Sequence, residues 1–118
     1  MKIPVSDVPA SIKWYRQVLG LEVVIEFTED GELRGVALDT PAGTTPIALR
    51  HDPERAAALA GFDLVALGVP TRDGVHAWAD HLASIGQQHG GIVTGHRGGA
   101  VLVGLHDPDG IELRLYAD

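Results

Sequence analysis

The stretch that decides the fold is Gly110-Ile111-Glu112-Leu113-Arg114-Leu115-Tyr116. Ile111, Leu113 and Leu115 fall on one side and Glu112, Arg114 and Tyr116 on the other, the period of a strand with one packed and one polar face. It is entered through His106-Asp107-Pro108-Asp109-Gly110, a turn in which proline presets one dihedral and glycine admits a positive one. An earlier stretch, Pro46-Ile47-Ala48-Leu49-Arg50-His51, reads almost the same way, with Ile-Ala-Leu-Arg standing 64 residues ahead of Ile-Glu-Leu-Arg. Trp14 and Trp78 keep the same 64-residue offset. An internal repeat governs the fold when present.

Working outward, Ile3 and Val5 begin a strand. Ser11 to Leu19 carries Ile12, Tyr15 and Leu19 at helical spacing and stops at Gly20. Leu21 to Thr28 and Leu33 to Thr40 read as strands joined by the hairpin turn Glu29-Asp30-Gly31-Glu32, and Thr45 to His51 is the next strand. Asp52 to Gly61, with Pro53 at its start, is a short helical linker. Leu64 to Val69 is a strand and Thr71 a helix cap. Gly74 to Ile85 is a helix with Val75, Trp78, Ala79, Leu82 and Ile85 along its packed side. Strands over Gln88 to His96 and Ala100 to His106 precede the last one. The expectation is an α+β fold in which two pseudo-symmetric βαβββ units, about residues 1–51 and 62–118 with the linker 52–61, form one domain. The polar faces of its sheets then line a shared trough.

A chain of 118 residues has room for one ordinary core. No run approaches the roughly 18 apolar residues of a membrane span, and Met1-Lys2-Ile3-Pro4-Val5 enters a strand with no apolar signal region. A cytoplasmic location with no membrane partner is expected. There is no cysteine, which removes disulfides, thiolate metal sites and cysteine nucleophiles together. Nine Lys and Arg against 16 Asp and Glu give a formal charge of −7, and no basic cluster stands out, so nucleic acid is not an expected partner. A small molecule or a second subunit remains.

Three stretches resemble the vicinal oxygen chelate superfamily, which includes glyoxalase I, bleomycin-resistance proteins and extradiol dioxygenases. They are Val5 to Leu21 (VSDVPASIKWYRQVLGL), Ala66 to Val69 (ALGV) and Asp107 to Leu113 (DPDGIEL). The resemblance implies the paired βαβββ fold, a homodimer and, for metal-dependent members, one divalent ion held by His and Glu at four strand positions. Carried over, the first position falls ahead of Met1, the next two fall at Ala48 and Leu64, and the fourth falls at Glu112. Ala48 and Leu64 have no donor atom, and one carboxylate alone does not hold a divalent ion against water. No metal or other cofactor is therefore expected.

The candidate ligand-binding residues are Arg50, Glu112, Arg114 and Tyr116. Arg50 and Arg114 occupy equivalent places in the repeat, and a guanidinium fork suits carboxylate or phosphate; taken alone, each also reads as a solvated strand-end arginine or a dimer-interface contact. Glu112 has two readings. It is either ion-paired to Arg50 or Arg114, or a hydrogen-bond acceptor and general base whose pKa rises if dry and falls beside an arginine. Tyr116 is a stacking group or hydroxyl donor. A histidine-based metal set would have to be drawn from His51, His106 and Glu112, and His51 points away from the Arg50 face. The function expected is metal-independent binding of a small, anionic organic molecule. The alternative is a lyase, isomerase or oxygenase using Glu112 as base or metal ligand.

Overall fold

Asp7 starts the first helix. Its side chain accepts the Ala10 N–H at 3.0 Å, and Pro9 sits in the first turn, where a missing N–H costs nothing. The helix therefore begins at Val8, three residues ahead of the amphipathic pattern. The computed structural model describes residues Met1 to Asp118, divided into compact units Met1–Ala60 and Gly61–Asp118.

In the first unit the elements are β1 (Lys2–Val5), α1 (Val8–Leu19), β2 (Glu22–Glu29), β3 (Glu32–Asp39), β4 (Ile47–His51) and α2 (Pro53–Ala58). The sheet runs β1-β4-β3-β2, with β1 and β4 parallel and the rest antiparallel. Asp30 and Gly31, at φ 54° and 78°, form the two-residue turn that places Glu29 opposite Glu32; Asp-Gly is the pair that tolerates two positive φ values in succession. Helix α1 packs on β3 and β4, and α2 on β1. The core consists of Ile3, Val5, Val36, Leu38, Ile47 and Leu49 from the sheet with Val8, Tyr15, Val18 and Leu19 from α1.

The second unit repeats the topology with β5 (Val65–Gly68), α3 (Arg72–Ser84), β6 (Gly91–Thr94), β7 (Ala100–His106) and β8 (Glu112–Ala117), ordered β5-β8-β7-β6. Thr71 caps α3 by accepting the Gly74 N–H at 3.0 Å. Val75 and Leu82 of α3 are buried with Leu102, Leu105, Leu113 and Leu115. The fold is thus α+β, two four-stranded sheets each with its own helix.

Three local expectations shift. Strand β8 begins at Glu112, because Asp107 Oδ1 accepts the N–H groups of Asp109 (2.9 Å) and Ile111 (3.0 Å) and so holds Gly110 and Ile111 in the turn. Strand β6 covers Gly91–Thr94 within the longer stretch expected, because His89 Nδ1 takes the Gly91 N–H at 2.9 Å. Ile85 follows the end of α3 and is 45% exposed, so it is no part of the packed side. Of the helix aromatics, Tyr15 is fully buried with Trp14 edge-on to it at 4.9 Å, whereas Trp78 stands edge-on to His81.

One polar atom in the first core has no partner: Ser11 Oγ on α1 is buried without a hydrogen bond. An unsatisfied buried hydroxyl costs about 1–3 kcal/mol, and alanine is the better helix former. Ser11→Ala should therefore raise the melting temperature; a fall would mean that the hydroxyl is satisfied in solution.

Candidate functional site

Strand alternation sends one set of residues in each sheet toward the helices and leaves the other set on an open face. In the first unit the register joins these open-face residues into two rows. Phe27, Gly35, Arg50 and Pro4 stand side by side across β2, β3, β4 and β1, and Ile25, Ala37, Ala48 and Lys2 form the next row. The two inner columns are Gly35, Ala37, Ala48 and Arg50, so apart from the arginine the floor carries at most one carbon per residue. Its outer wall is Ile25 and Phe27, each 51% exposed. A Cβ at Gly35 would stand 2.5 Å from the Leu49 carbonyl oxygen, so nothing larger than glycine fits there without moving β4.

A cavity of about 370 Å³ lies over this floor, lined by Lys2, Phe27, Thr28, Glu29, Arg34, Gly35, Ala48, Leu49 and Arg50. Arg34 is paired with Glu32 at 2.9 Å. Arg50 makes no ion pair. The neighbouring Asp52 is taken by Arg55 at 2.6 Å, whose hydrogen bonds are the main reason its carboxyl is held low, and Arg50 exerts the weakest of the pulls on it. A larger hollow of about 590 Å³ along α1, lined by Pro9, Ile12, Lys13, Arg16, Gln17 and Glu22, lies on the helix surface and contains none of the candidate residues. Its Arg16 is already paired with Glu22 at 3.1 Å.

In the second unit Glu112, Arg114 and Tyr116 share the open face of β8. Arg114 Nε donates to Glu112 Oε2 at 2.6 Å, and the Glu112 side chain is 13% exposed. The other end of the guanidinium meets Asp63 at 3.3 Å, so Arg114 is held between two carboxylates. His106, opposite Glu112 in the register, places Nε2 3.6 Å from Oε1. The Gly104 N–H also donates to Glu112. It can do so because β7 bulges between Leu102 and Leu105, with Gly104 at φ +71° and so close to Gly90 that a Cβ would stand 2.7 Å from its nitrogen. Tyr116, 41% exposed, lays its hydroxyl end over Gly68 of β5.

The Arg114 hydrogen bond is the largest influence on Glu112. With the Gly104 N–H and the charges nearby, it outweighs burial and holds the carboxyl below its ordinary value. Of the two sequence readings, the geometry favours the ion pair, and the partner is Arg114. The structure therefore brings Glu112 and Arg114 into contact, sets Tyr116 on the same face, and leaves Arg50 in the first unit with no counter-ion. The small-residue floor at Gly35, Ala37 and Ala48 was not among the expected site residues. Only the pairing register reveals it.

A family model described as the Glyoxalase/Bleomycin resistance protein/Dioxygenase superfamily matches residues 1–115. The chain belongs to this superfamily. Solved members superpose over nearly the whole chain. A lactoylglutathione lyase from Agrobacterium tumefaciens has a TM-score of 0.75 at 17% identity, over 98% of this chain and 89% of its own. The antibiotic-binding protein TnmS3 from Streptomyces sp. CB03234 has a TM-score of 0.75 at 19% identity, over 98% and 89%. The fosfomycin resistance protein FosX from Listeria monocytogenes has a TM-score of 0.74 at 13% identity, over 100% and 89%. No curated protein matches.

The superfamily's metal positions can now be tested against the donors this chain supplies. Ala48 and Leu64 offer none, Glu112 is engaged by two N–H donors, and no three His, Cys, Asp or Glu side chains gather as a ligand set. The donor chemistry does not fit a divalent ion.

Two outcomes follow for the second unit. Because the folded pKa of Glu112 is depressed, its contribution to stability is present above the ordinary carboxylate pKa and is lost as pH falls through the folded value. Glu112→Gln should cost about 1 kcal/mol near neutral pH and lessen the loss of stability on acidification below about pH 4.5, the unshifted value. An unchanged acid limb in denaturant titrations would contradict the pairing. Gly104→Ala should destabilise by about 1–2 kcal/mol or more from the left-handed backbone alone, read as a lower denaturation midpoint.

Proposed function

We propose that the protein binds a small organic anion on the open face of its first unit, with Arg50 as the anchor. The observation that carries this is a guanidinium without an ion-pair partner at the edge of a cavity of about 370 Å³, near the lower end of small-molecule sites. A guanidinium offers a carboxylate or phosphate two parallel N–H donors, and the gain is larger where no internal carboxylate must first be displaced.

Glu112, Arg114 and Tyr116 are the second unit's part of the proposal. On that unit's own open face the Glu112–Arg114 pair presents a nearly neutral polar surface, and Tyr116 an aromatic one. Binding is preferred over catalysis through Glu112 because a carboxylate held ionised by two donors is a weak proton acceptor. Relatives of the same fold include a binding protein and a lyase, so fold does not choose between them. The reading takes the protein to be a homodimer, as the resemblance implies, and to act in the cytoplasm.

Calorimetric titration with a panel of small carboxylates and phosphonates, each beside its neutral amide or alcohol, tests the proposal. At least one anion should bind while its neutral counterpart does not, and Arg50→Ala should weaken that binding about 10- to 100-fold, as loss of a charged hydrogen bond implies. Unchanged affinity in Arg50→Ala would overturn it.

A further inference from the structure

Resting on the reading of the first-unit cavity as an anion site, we propose that its ligand is a flat aromatic carboxylate. The ring system lies face-down on Gly35 and Ala48, which line the cavity with Phe27 at its edge, and reaches toward Ala37 and Ile25 in the next row; its carboxylate is gripped by Arg50 with Lys2 alongside.

The floor is the first reason. Neighbouring open-face residues in a sheet are spaced so that ordinary side chains close the gaps between them, yet here three adjoining positions on two central strands are Gly35, Ala37 and Ala48. The glycine is not free to enlarge, since a Cβ would meet the Leu49 carbonyl oxygen at 2.5 Å. The result is a step. Ile25 and Phe27 rise along one side, and the floor beside them is bare backbone and methyl groups, a shelf on which a flat ring can lie against the wall.

The wall is the second reason. Ile25 and Phe27 are large apolar side chains left about half exposed on a sheet face, in contact with the cavity in the case of Phe27. An aromatic partner gains both burial and edge-to-face contact with a phenylalanine ring. Charge is the third. Lys2 and Arg50 stand in adjoining rows and neither has an ion pair, whereas Arg34 at the rim is occupied by Glu32. The open cations thus lie across the floor from the aromatic wall, the spacing of a ring carrying its acid at the far end.

The test compares two acids of equal charge and equal carbon skeleton, 2-naphthoate and decahydronaphthalene-2-carboxylate, titrated into the full chain by calorimetry. The expected result is tighter binding of the naphthoate by 10-fold or more, with the preference lost in Ala37→Leu, which raises the floor on a partly exposed position, and reduced in Phe27→Leu, which keeps the apolar wall but removes the ring. Circular dichroism of both variants checks that they fold. Equal binding of the two acids, still dependent on Arg50, overturns the flat-ligand inference and leaves the anion site standing. If neither acid binds while a small anion still binds through Arg50, the flat-ligand inference falls alone; if no anion binds at all, both fall.

Discussion

Each sheet has a helix on one face, and strand alternation therefore commits every second residue to a face the helix does not cover. Everything functional in this protein descends from that constraint. The helix-side residues of β4 and those at the start of β8 are nearly interchangeable, Ile47 and Leu49 against Leu113 and the Ile111 just ahead of the strand, all buried. The open-side residues are free to differ, and they do: Ala48 and Arg50 in one unit, Glu112 and Arg114 in the other. Replacing an alanine by a glutamate two residues before the arginine converts a cation awaiting a partner into one held between Glu112 and Asp63. The repeat keeps the scaffold and divides the labour.

That division also bears on chemistry. In the second unit the charges satisfy one another: Glu112 is fixed by Arg114 and Gly104, Arg114 by Glu112 and Asp63. Such a network is rigid and costly to disturb, since removing one member leaves another partly buried and unpaired. In the first unit Asp52 is drawn off by Arg55, and Arg50 has no ion pair. A scaffold elsewhere associated with a resistance protein, a lyase and an antibiotic-binding protein here carries Ala48 and an arginine without an ion pair in one unit and the paired Glu112 and Arg114 in the other.

The sequence made the fold legible because the repeat and the alternation agree: Ile-Ala-Leu-Arg and Ile-Glu-Leu-Arg name the same strand twice, and Asp30-Gly31 announces the hairpin. Element ends were less legible where a side chain intervened. Asp107 captures two N–H groups and delays β8, His89 does the same for β6, and Asp7 with Pro9 starts α1 early. The site was legible by face and not by pairing. Spacing of two places Glu112 and Arg114 together, but whether Arg50 or Arg114 holds the carboxylate depends on side-chain geometry and on the Gly104 bulge. The floor was hidden for a different reason: Gly35, Ala37 and Ala48 become neighbours only through the register of β3 against β4, and a small residue taken alone carries no signal.

The central claim is the asymmetry of the two arginines, and side-chain NMR of the Arg Nε–H groups during titration with an aromatic carboxylate tests it most directly. Without ligand, the Arg114 signal should be slow to exchange with water and the Arg50 signal fast; on titration Arg50 should shift and gain protection while Arg114 stays where it is. Protection of Arg50 before any ligand is added, or a ligand response confined to Arg114, would contradict it.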